Sequence, residues 1–451
     1  MGRQLPSRPV YAELAPGSTQ LETLMATIMR TEAELAVADT GRRVMPGGGL
    51  GNLSHDMVIC EGHGGCVWDL SGNRYVDFLL GSGPMLIGHA HPEVTAAVQA
   101  QIARGTTFFA NNEAGIQLAA AIVDALACAE QVRFTSSGSE ATHYAMRLAR
   151  AFTQRSKIMK FEGGFHGMGD WALMSMAPKR PGNFPQATPD SAGIPEVLTG
   201  EMLIAPFNDA DAATAMIAAH KNDLAGVIVE PQQRLIRPRP GFLAALRKAT
   251  ATHSVPLIFD EVVTGFRHAY GGAQEYYGVV PDLCALGKVV GGGFPLAAVA
   301  GRADIMAMFD RTAAGDERFT PQIGTLSGNP VASVAGLATL DVLRAPGTYE
   351  RLFATGRRLM EGLGAAMRKA GHTAQVVGEP PMFEVFFTDR PLHNYRDVIT
   401  ADVEKLKRFN RLLLERGVLK GDTKFYVSTA HDEADVTHTL AAFDSAAAAL
   451  N

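Results

Sequence analysis

Apolar positions along this chain change their spacing from one stretch to the next, and each spacing predicts a different element. Behind Thr19 and Glu22, which form a capping-box pattern, Leu21, Leu24, Met25, Ile28 and Met29 recur three and four residues apart. This predicts a helix, which the glycine-rich segment MPGGGLGN ends. Residues 1–17, polar and proline-containing, read as an extended arm. From Met57 to Leu80 the short alternating segments VIC, CVWDL and YVDFLL, broken by GHGG and SGN, predict a small antiparallel sheet. The middle of the chain differs. Its runs QVRFTSS, KIMKFEG, AGVIVEPQ, VPLIFDEV and PDLCALG lack polar alternation, and helical stretches such as EATHYAMRLARAF and GFLAALRKATATH separate them. Such runs predict a mostly parallel sheet covered on both faces. Beyond residue 330 come a helical SVAGLATLDVL, a strand-like AQVVGEPPMFEVFF, and ADVEKLKRFNRLLLERG. In the last, Val403, Leu406, Phe409 and Leu413 mark one helical face and Gly417 the stop.

These patterns divide the chain into residues 1–80 (arm, helix and small sheet), 81–335 (a large α/β domain) and 336–451, which together with the first part forms a smaller α/β domain. The length, 451 residues, exceeds the roughly 250–300 at which single cores stop growing. A content of 47% hydrophobic and 19% charged residues excludes a disordered or fibrous chain. The balance of 41 basic against 46 acidic residues lacks the excess of a nucleic-acid binder. No apolar stretch reads as a secretory signal or a membrane span, so a soluble, cytoplasmic protein is expected. Cys60, His63 and Cys66 lack a second pair of ligands, and no metal site is expected.

Ligands of open α/β sheets lie at the carboxyl ends of the strands, and four such ends carry unusual residues. In TSSGSEAT, Ser137, Gly138 and Ser139 stand between strand and helix, where backbone N–H groups hold phosphate, although small-residue turns into helices are common. In LIFDEVVTGFR, Asp260 and Glu261 end an apolar run; a carboxylate there needs a partner, as a ligand group, a helix cap or half of an ion pair. In LCALGKVVGGGFP, Lys288 is flanked by apolar residues and glycine, an environment that lowers a lysine pKa and makes the amine a nucleophile toward carbonyls. A P-loop fails there, because Asp282 stands at its first glycine position and Val289 at its Ser/Thr. The fourth is the polar turn IGTLSGNP, with Gly324, Thr325, Ser327 and Asn329. A cofactor with a phosphate, a ring nitrogen that wants a carboxylate and an aldehyde that wants an amine would use the first three together.

The order of these motifs resembles the class III aminotransferases, pyridoxal-phosphate (PLP) enzymes of fold type I, nearest the glutamate-1-semialdehyde aminomutase-like branch. The resemblance runs from MPGGG through GSGPMLIGHAHPEV, SSGSEAT, FHG, VEP, DEVVTGFR, LGKVVGGGFP and GTLSGNP to FYVSTAHDEADV. It implies a seven-stranded, mostly parallel sheet in the large domain, and transfer of an amino group from an amino acid or amine to a keto acid or aldehyde. An aminomutase or amino-acid racemase is the alternative on the same scaffold. By resemblance, Lys288 forms the Schiff base with the cofactor and shuttles a proton, and Asp260 pairs with the ring nitrogen. Val262 packs on one ring face, and Phe165, where tyrosine is usual, on the other. Ser137, Gly138 and Ser139 match the phosphate loop, and Thr325 a threonine that reaches the phosphate across the interface of a homodimer with shared active sites. His166 belongs to the same motif as Phe165, with a cofactor or a structural role open. Glu230 matches a glutamate near the substrate.

Two departures bear on the substrate. The segment GLGNLSHD, residues 49–56, lacks the arginine that often holds a substrate carboxylate. Where the aminomutase has a gating glutamate, LKGDTKFYVSTAH carries Lys420, Asp422 and Lys424, which disfavours that isomerisation. Lys424 is a candidate to pair with Glu230 in the empty pocket and with a substrate carboxylate in the filled one, against the plainer reading of a surface lysine. Arg234, Arg237 and Arg267 are the other candidate cations.

Overall fold

The computed structural model describes residues 29–51 and 57–450. Most of the helix expected from Thr19 lies outside them; the described helix nearest to it is Glu32–Val44, capped by the Thr31 side chain and closed by Met45 just before the glycines. The segments after Met57 pair as expected: β1 (Ile59–His63), β2 (Cys66–Asp69) and β3 (Arg74–Asp77) form an antiparallel meander. Asp69 organises its second turn, accepting the backbone N–H groups of Ser71 and Asn73 at 3.1 and 2.8 Å and the Tyr75 hydroxyl at 2.9 Å.

The middle of the chain supplies β4 (Gln131–Thr135), β5 (Lys157–Phe161), β6 (Met202–Ala205), β7 (Leu224–Val229), β8 (Leu257–Glu261), β9 (Leu283–Leu286) and β10 (Ala297–Gly301). They form one seven-stranded sheet in the order β4-β10-β9-β8-β7-β5-β6. Strands β6, β5, β7, β8 and β9 run parallel, and β10 is antiparallel to both of its neighbours. The absence of polar alternation in β5 to β10 now has its cause: successive side chains of a strand enter opposite faces, and both faces are buried there, whereas edge strand β4 alternates exposed Gln131 and Arg133 with half-buried Val132 and Phe134. Leu257 and Phe259 of β8 belong to one apolar core and Ile258 to another. Helix Gly138–Thr153 covers one face across β7, β9 and β10, and helix Phe242–Thr252 packs on β8. Each fully buried Leu, Ile or Phe in these layers contributes about 1.5–3 kcal/mol.

The last third forms a hairpin, β11 (Gln375–Glu379) and β12 (Met382–Phe386), followed by β13 (Val418–Leu419) and β14 (Phe425–Tyr426). The single strand-like run AQVVGEPPMFEVFF is thus two strands, because Pro380 and Pro381 offer no N–H to a ladder and turn the chain. β14 extends the hairpin, and β13 pairs parallel with β3, joining the two ends of the chain in one four-stranded sheet. On helix Val403–Leu414, Leu406, Phe409 and Leu413 are buried while Val403 in its first turn is exposed; Gly417 follows at φ 73°, a left-handed value that glycine adopts without strain. Among the described residues no helix is long and apolar enough to cross a membrane.

Candidate active site

Adjacent parallel strands bring the two central polar residues to one sheet edge. Register pairs Asp260 with Ala285 and Glu261 with Leu286 across β8 and β9, so Lys288, two residues beyond the end of β9, emerges at the same edge as Asp260. Lys288 adopts φ 52°, the left-handed region, directly after the extended Gly287. Both residues line one cavity together with Gly138, Ser139, Phe165 and Val262. Glu230, Arg234, Met382 and Lys424 complete much of its remaining wall.

Each polar group in this cavity has a distinct electrostatic state. Asp260 Oδ2 lies 2.8 Å from His166 Nδ1, and Oδ1 accepts the Val262 N–H at 3.1 Å. The carboxylate therefore fixes the His166 proton on Nδ1, while the buried Nε2 has no hydrogen-bond partner. Glu261, the next residue, points the other way and is fully buried; it accepts from the Ala273 N–H, from the Thr264 hydroxyl and from the Gln274 side chain. Burial still raises its pKa. Burial is also the main reason that the Lys288 ammonium titrates below the ordinary lysine range; Lys424 and Arg267 add to the effect, and Tyr426 and Asp260 oppose it.

The start of helix Gly138–Thr153 forms one wall. Ser137 is its N-cap: the hydroxyl accepts the Glu140 N–H at 3.2 Å and donates to Glu140 Oε2 at 3.0 Å. Ser137 is thus committed to the cap, and Gly138 and Ser139 are the residues of this turn that face the cavity. A Cβ at Gly138 would stand 2.8 Å from Val262 Cγ1, so glycine is what lets Val262 close against the helix start. Helix N–H groups, a lysine without a partner among the described residues, a carboxylate with a fixed donor behind it, and apolar Val262 and Phe165 suit the phosphate, aldehyde, ring nitrogen and ring of PLP.

Not every candidate joins this cavity. Arg267 is fully buried and clamps three chain segments: it donates to the carbonyls of Gly83, Pro381 and Val427, the last two at 3.3 and 3.2 Å, and its guanidinium stacks on Tyr426. It is therefore a structural tie and not a free group for substrate. Arg237 is held by the Gly378 carbonyl at 2.7 Å and by Glu379 at 3.1 Å. Thr325 is exposed and lines a different concave surface, with Phe108, Phe109 and Ile323. Lys424 is no surface lysine, being 9% exposed. Among the described residues no ion pair joins it to Glu230, whose Oε2 instead accepts the Arg234 N–H at 3.1 Å. Burial, Arg234 and Arg267 lower the Lys424 pKa to about 7 against the pull of Glu230 and Asp260. Lys420 is sealed against Glu384 at 2.6 Å and also donates to Asn410 Oδ1. The bond between His166 and Asp260 lay beyond the sequence reading; the FHG motif signalled the residue and not its partner. Lys160, unremarked in the sequence, is fully buried and donates to the Ala172 and Met174 carbonyls at 2.7 and 2.8 Å.

Comparison with known proteins shows the family. The profile of the family described as aminotransferase class-III matches residues 51–431. An omega-transaminase from Sphaerobacter thermophilus is 35% identical, with a TM-score of 0.87 over 92% of this chain and 97% of its own. A transaminase with PLP bound is 30% identical, with a TM-score of 0.86 over 94% of this chain and 98% of its own. A beta-phenylalanine aminotransferase from Variovorax paradoxus is also 30% identical, with a TM-score of 0.81 over 92% of this chain and 93% of its own. The chain belongs to the class-III aminotransferases, fold type I enzymes that move an amino group from a donor to a keto acceptor by means of pyridoxal phosphate.

Proposed function

We propose that Lys288 is the amine that bonds the cofactor aldehyde and later carries the proton of the reacting carbon, with Asp260 as the partner of the ring nitrogen. When bound, the cofactor supplies an aldehyde on which amines exchange and a protonated ring that accepts the electrons of a broken C–H bond. The observation that carries the reading is the meeting of Lys288, Asp260 and the start of helix Gly138–Thr153 in one cavity. Asp260 holds a proton at the ring nitrogen by its negative charge, and the His166 N–H, 2.8 Å away, keeps that carboxylate oriented. Burial disfavours the charged form of Lys288, so its amine is held in the neutral, proton-accepting form to a greater extent than that of an ordinary lysine, and it returns a proton more readily. Phe165, Val262, Gly138 and Ser139 line the same cavity; the first two would cover the cofactor ring and the last two would hold its phosphate.

We read the product as a free carbonyl compound, hence transamination and not isomerisation. Within the class, the order of motifs favours the glutamate-1-semialdehyde aminomutase-like branch, but the stretch where that enzyme has its gating glutamate supplies Lys424 to the cavity and buries Lys420 against Glu384. Thr325 lies outside the cavity of its own chain, on a surface exposing Phe108, Phe109 and Ile323, which favours a homodimer in which it reaches the partner's phosphate. The test is spectroscopic: Lys288→Ala is expected to retain cofactor without the absorption band of the lysine-bonded form and to lose turnover. Asp260→Asn should keep the band and slow C–H cleavage severely. Wild-type turnover in the first variant, or an unchanged cleavage rate in the second, overturns the assignment, and a donor that yields no keto product overturns transamination.

A further inference from the structure

The cavity holds more positive charge than its own carboxylates can answer. Asp260 is engaged by His166 and the Val262 N–H, and Glu230 accepts the Arg234 N–H. Arg234 is exposed at the cavity mouth; its guanidinium lies over the Phe165 ring at 5.3 Å, and among the described residues no carboxylate or carbonyl bonds it. The Lys424 ammonium is buried over Tyr426, 5.9 Å from the ring centroid, and likewise has no hydrogen-bond acceptor among the described residues. One anion, the cofactor phosphate, is accounted for by the helix start at Gly138 and Ser139. Arg234 and Lys424 come from elsewhere, from the loop after β7 and from the segment before β14.

The backbone at Arg234 adds an independent observation. Arg234 has φ 58°, a left-handed conformation that costs a side-chain-bearing residue about 1–2 kcal/mol. The surroundings hold it there, through the Glu230 bond to its N–H and the bridge between Gln233 and Ile236. Of the eleven non-glycine residues at positive φ among the described residues, Arg234 and Lys288 are the two that line this cavity. A guanidinium fork beside an ammonium, with Met382 and Val263 as apolar wall, matches a carboxylate attached to an apolar body.

We propose that Arg234 and Lys424 form a carboxylate-binding subsite, so that this aminotransferase selects amino acids and keto acids over carboxylate-free amines. The proposal rests on the reading that Lys288 marks the reacting end of the cavity. The two are separable, because the Lys288 assignment fails on the cofactor band of Lys288→Ala and this one on donor preference. The experiment takes the holoenzyme and follows loss of the lysine-bonded cofactor band with donors paired to differ by one carboxylate: 3-amino-3-phenylpropanoate with 1-phenylethylamine, and alanine with ethylamine. Wild type is expected to favour the acid member of at least one pair. In Arg234→Met and in Lys424→Met, kcat/KM for the favoured acid should fall about tenfold more than for its amine partner, the loss of one charge-assisted contact. Arg234→Lys should recover part of that preference. A wild-type enzyme that favours the amine in both pairs or reacts with neither acid, variants that weaken acid and amine alike, or weaker cofactor retention in Arg234→Met would each overturn the proposal.

Discussion

Replacing Lys424 by methionine is expected to stabilise the cofactor-free protein, and to do so most at low pH. Burial is the main influence on its ammonium, followed by repulsion from Arg234; Glu230 and Asp260 attract it, and Arg267 repels it further. Lys288 faces the same cavity and Tyr426 lies against the side chain. The outcome is a pKa lowered from 10.5 to about 7. Between those two values the unfolded chain binds the proton and the folded chain does not, so wild-type stability rises with pH across that window. Below pH 7 both states carry the charge and the full penalty applies; at 1.36 kcal/mol per pH unit, the fall from 10.5 to about 7 corresponds to about 5 kcal/mol. At pH 9 the folded lysine is neutral, and about 2 kcal/mol of penalty remains. Methionine keeps the length and apolar packing without a proton, so its advantage should shrink by about 3 kcal/mol between pH 6 and pH 9. Lys160 and Lys420 are present in both proteins and cancel in the comparison, while Lys288, relieved of repulsion from Lys424, shifts in the same direction and adds to the advantage at low pH. Scanning calorimetry of wild type and Lys424→Met at pH 6, 7.5 and 9 provides the assay. A difference in Tm that is constant with pH, or that widens toward pH 9, refutes the reasoning that an unpartnered charge is buried there.

Two other perturbations follow from the same groups. His166→Phe removes the donor behind Asp260 and is expected to slow C–H cleavage by about 10- to 100-fold while the lysine-bonded cofactor band persists. His166→Asn, which returns an N–H near the Nδ1 position, should recover part of the rate, and the deuterium isotope effect on the donor reads both. Glu384→Ala leaves Lys420 buried without its carboxylate and should lower stability by about 3–5 kcal/mol, whereas replacing both residues by methionine should restore most of it. Thermal unfolding of the single and double variants at neutral pH checks this.

The large sheet was legible because its strands are buried on both faces: LAGVIV and LIFDE have no polar alternation to confuse with helical spacing, and every residue in them is buried. β6 and β10 went unread because MLIA and AAVAG are short and partly alanine, which carries little strand preference and also suits helices. Lys288 and Asp260 stood out as charges at the ends of apolar runs, a local signal. Arg267 had the same local setting, yet its carbonyl partners are 184, 114 and 160 residues away in sequence, and no spacing rule reaches that far. Lys424 sits in the polar string GDTKF, which reads as surface; only the pairing of β14 with β12 draws that string under the cavity. The segment around Thr325 read as a polar turn, and within one chain it stays outside the cavity.

The placement of charge in this cavity follows from the sheet and from what each carboxylate is already bonded to. β8 and β9 are parallel neighbours, so their last residues end side by side, and the chain needs only Gly287 and a left-handed Lys288 to set an amine near a carboxylate. The carboxylate is quieted by His166, and among the described residues the amine has no hydrogen-bond partner. A fold maximising its own stability would reverse this arrangement, pairing every buried ammonium as Lys420 is paired with Glu384. Among the described residues Lys288 and Lys424 lack such partners, in the same protein that seals Lys420 against Glu384. Sealing a lysine is therefore within reach of this sequence. On the readings proposed above, the cofactor aldehyde takes the Lys288 amine and a substrate carboxylate takes the Lys424 ammonium.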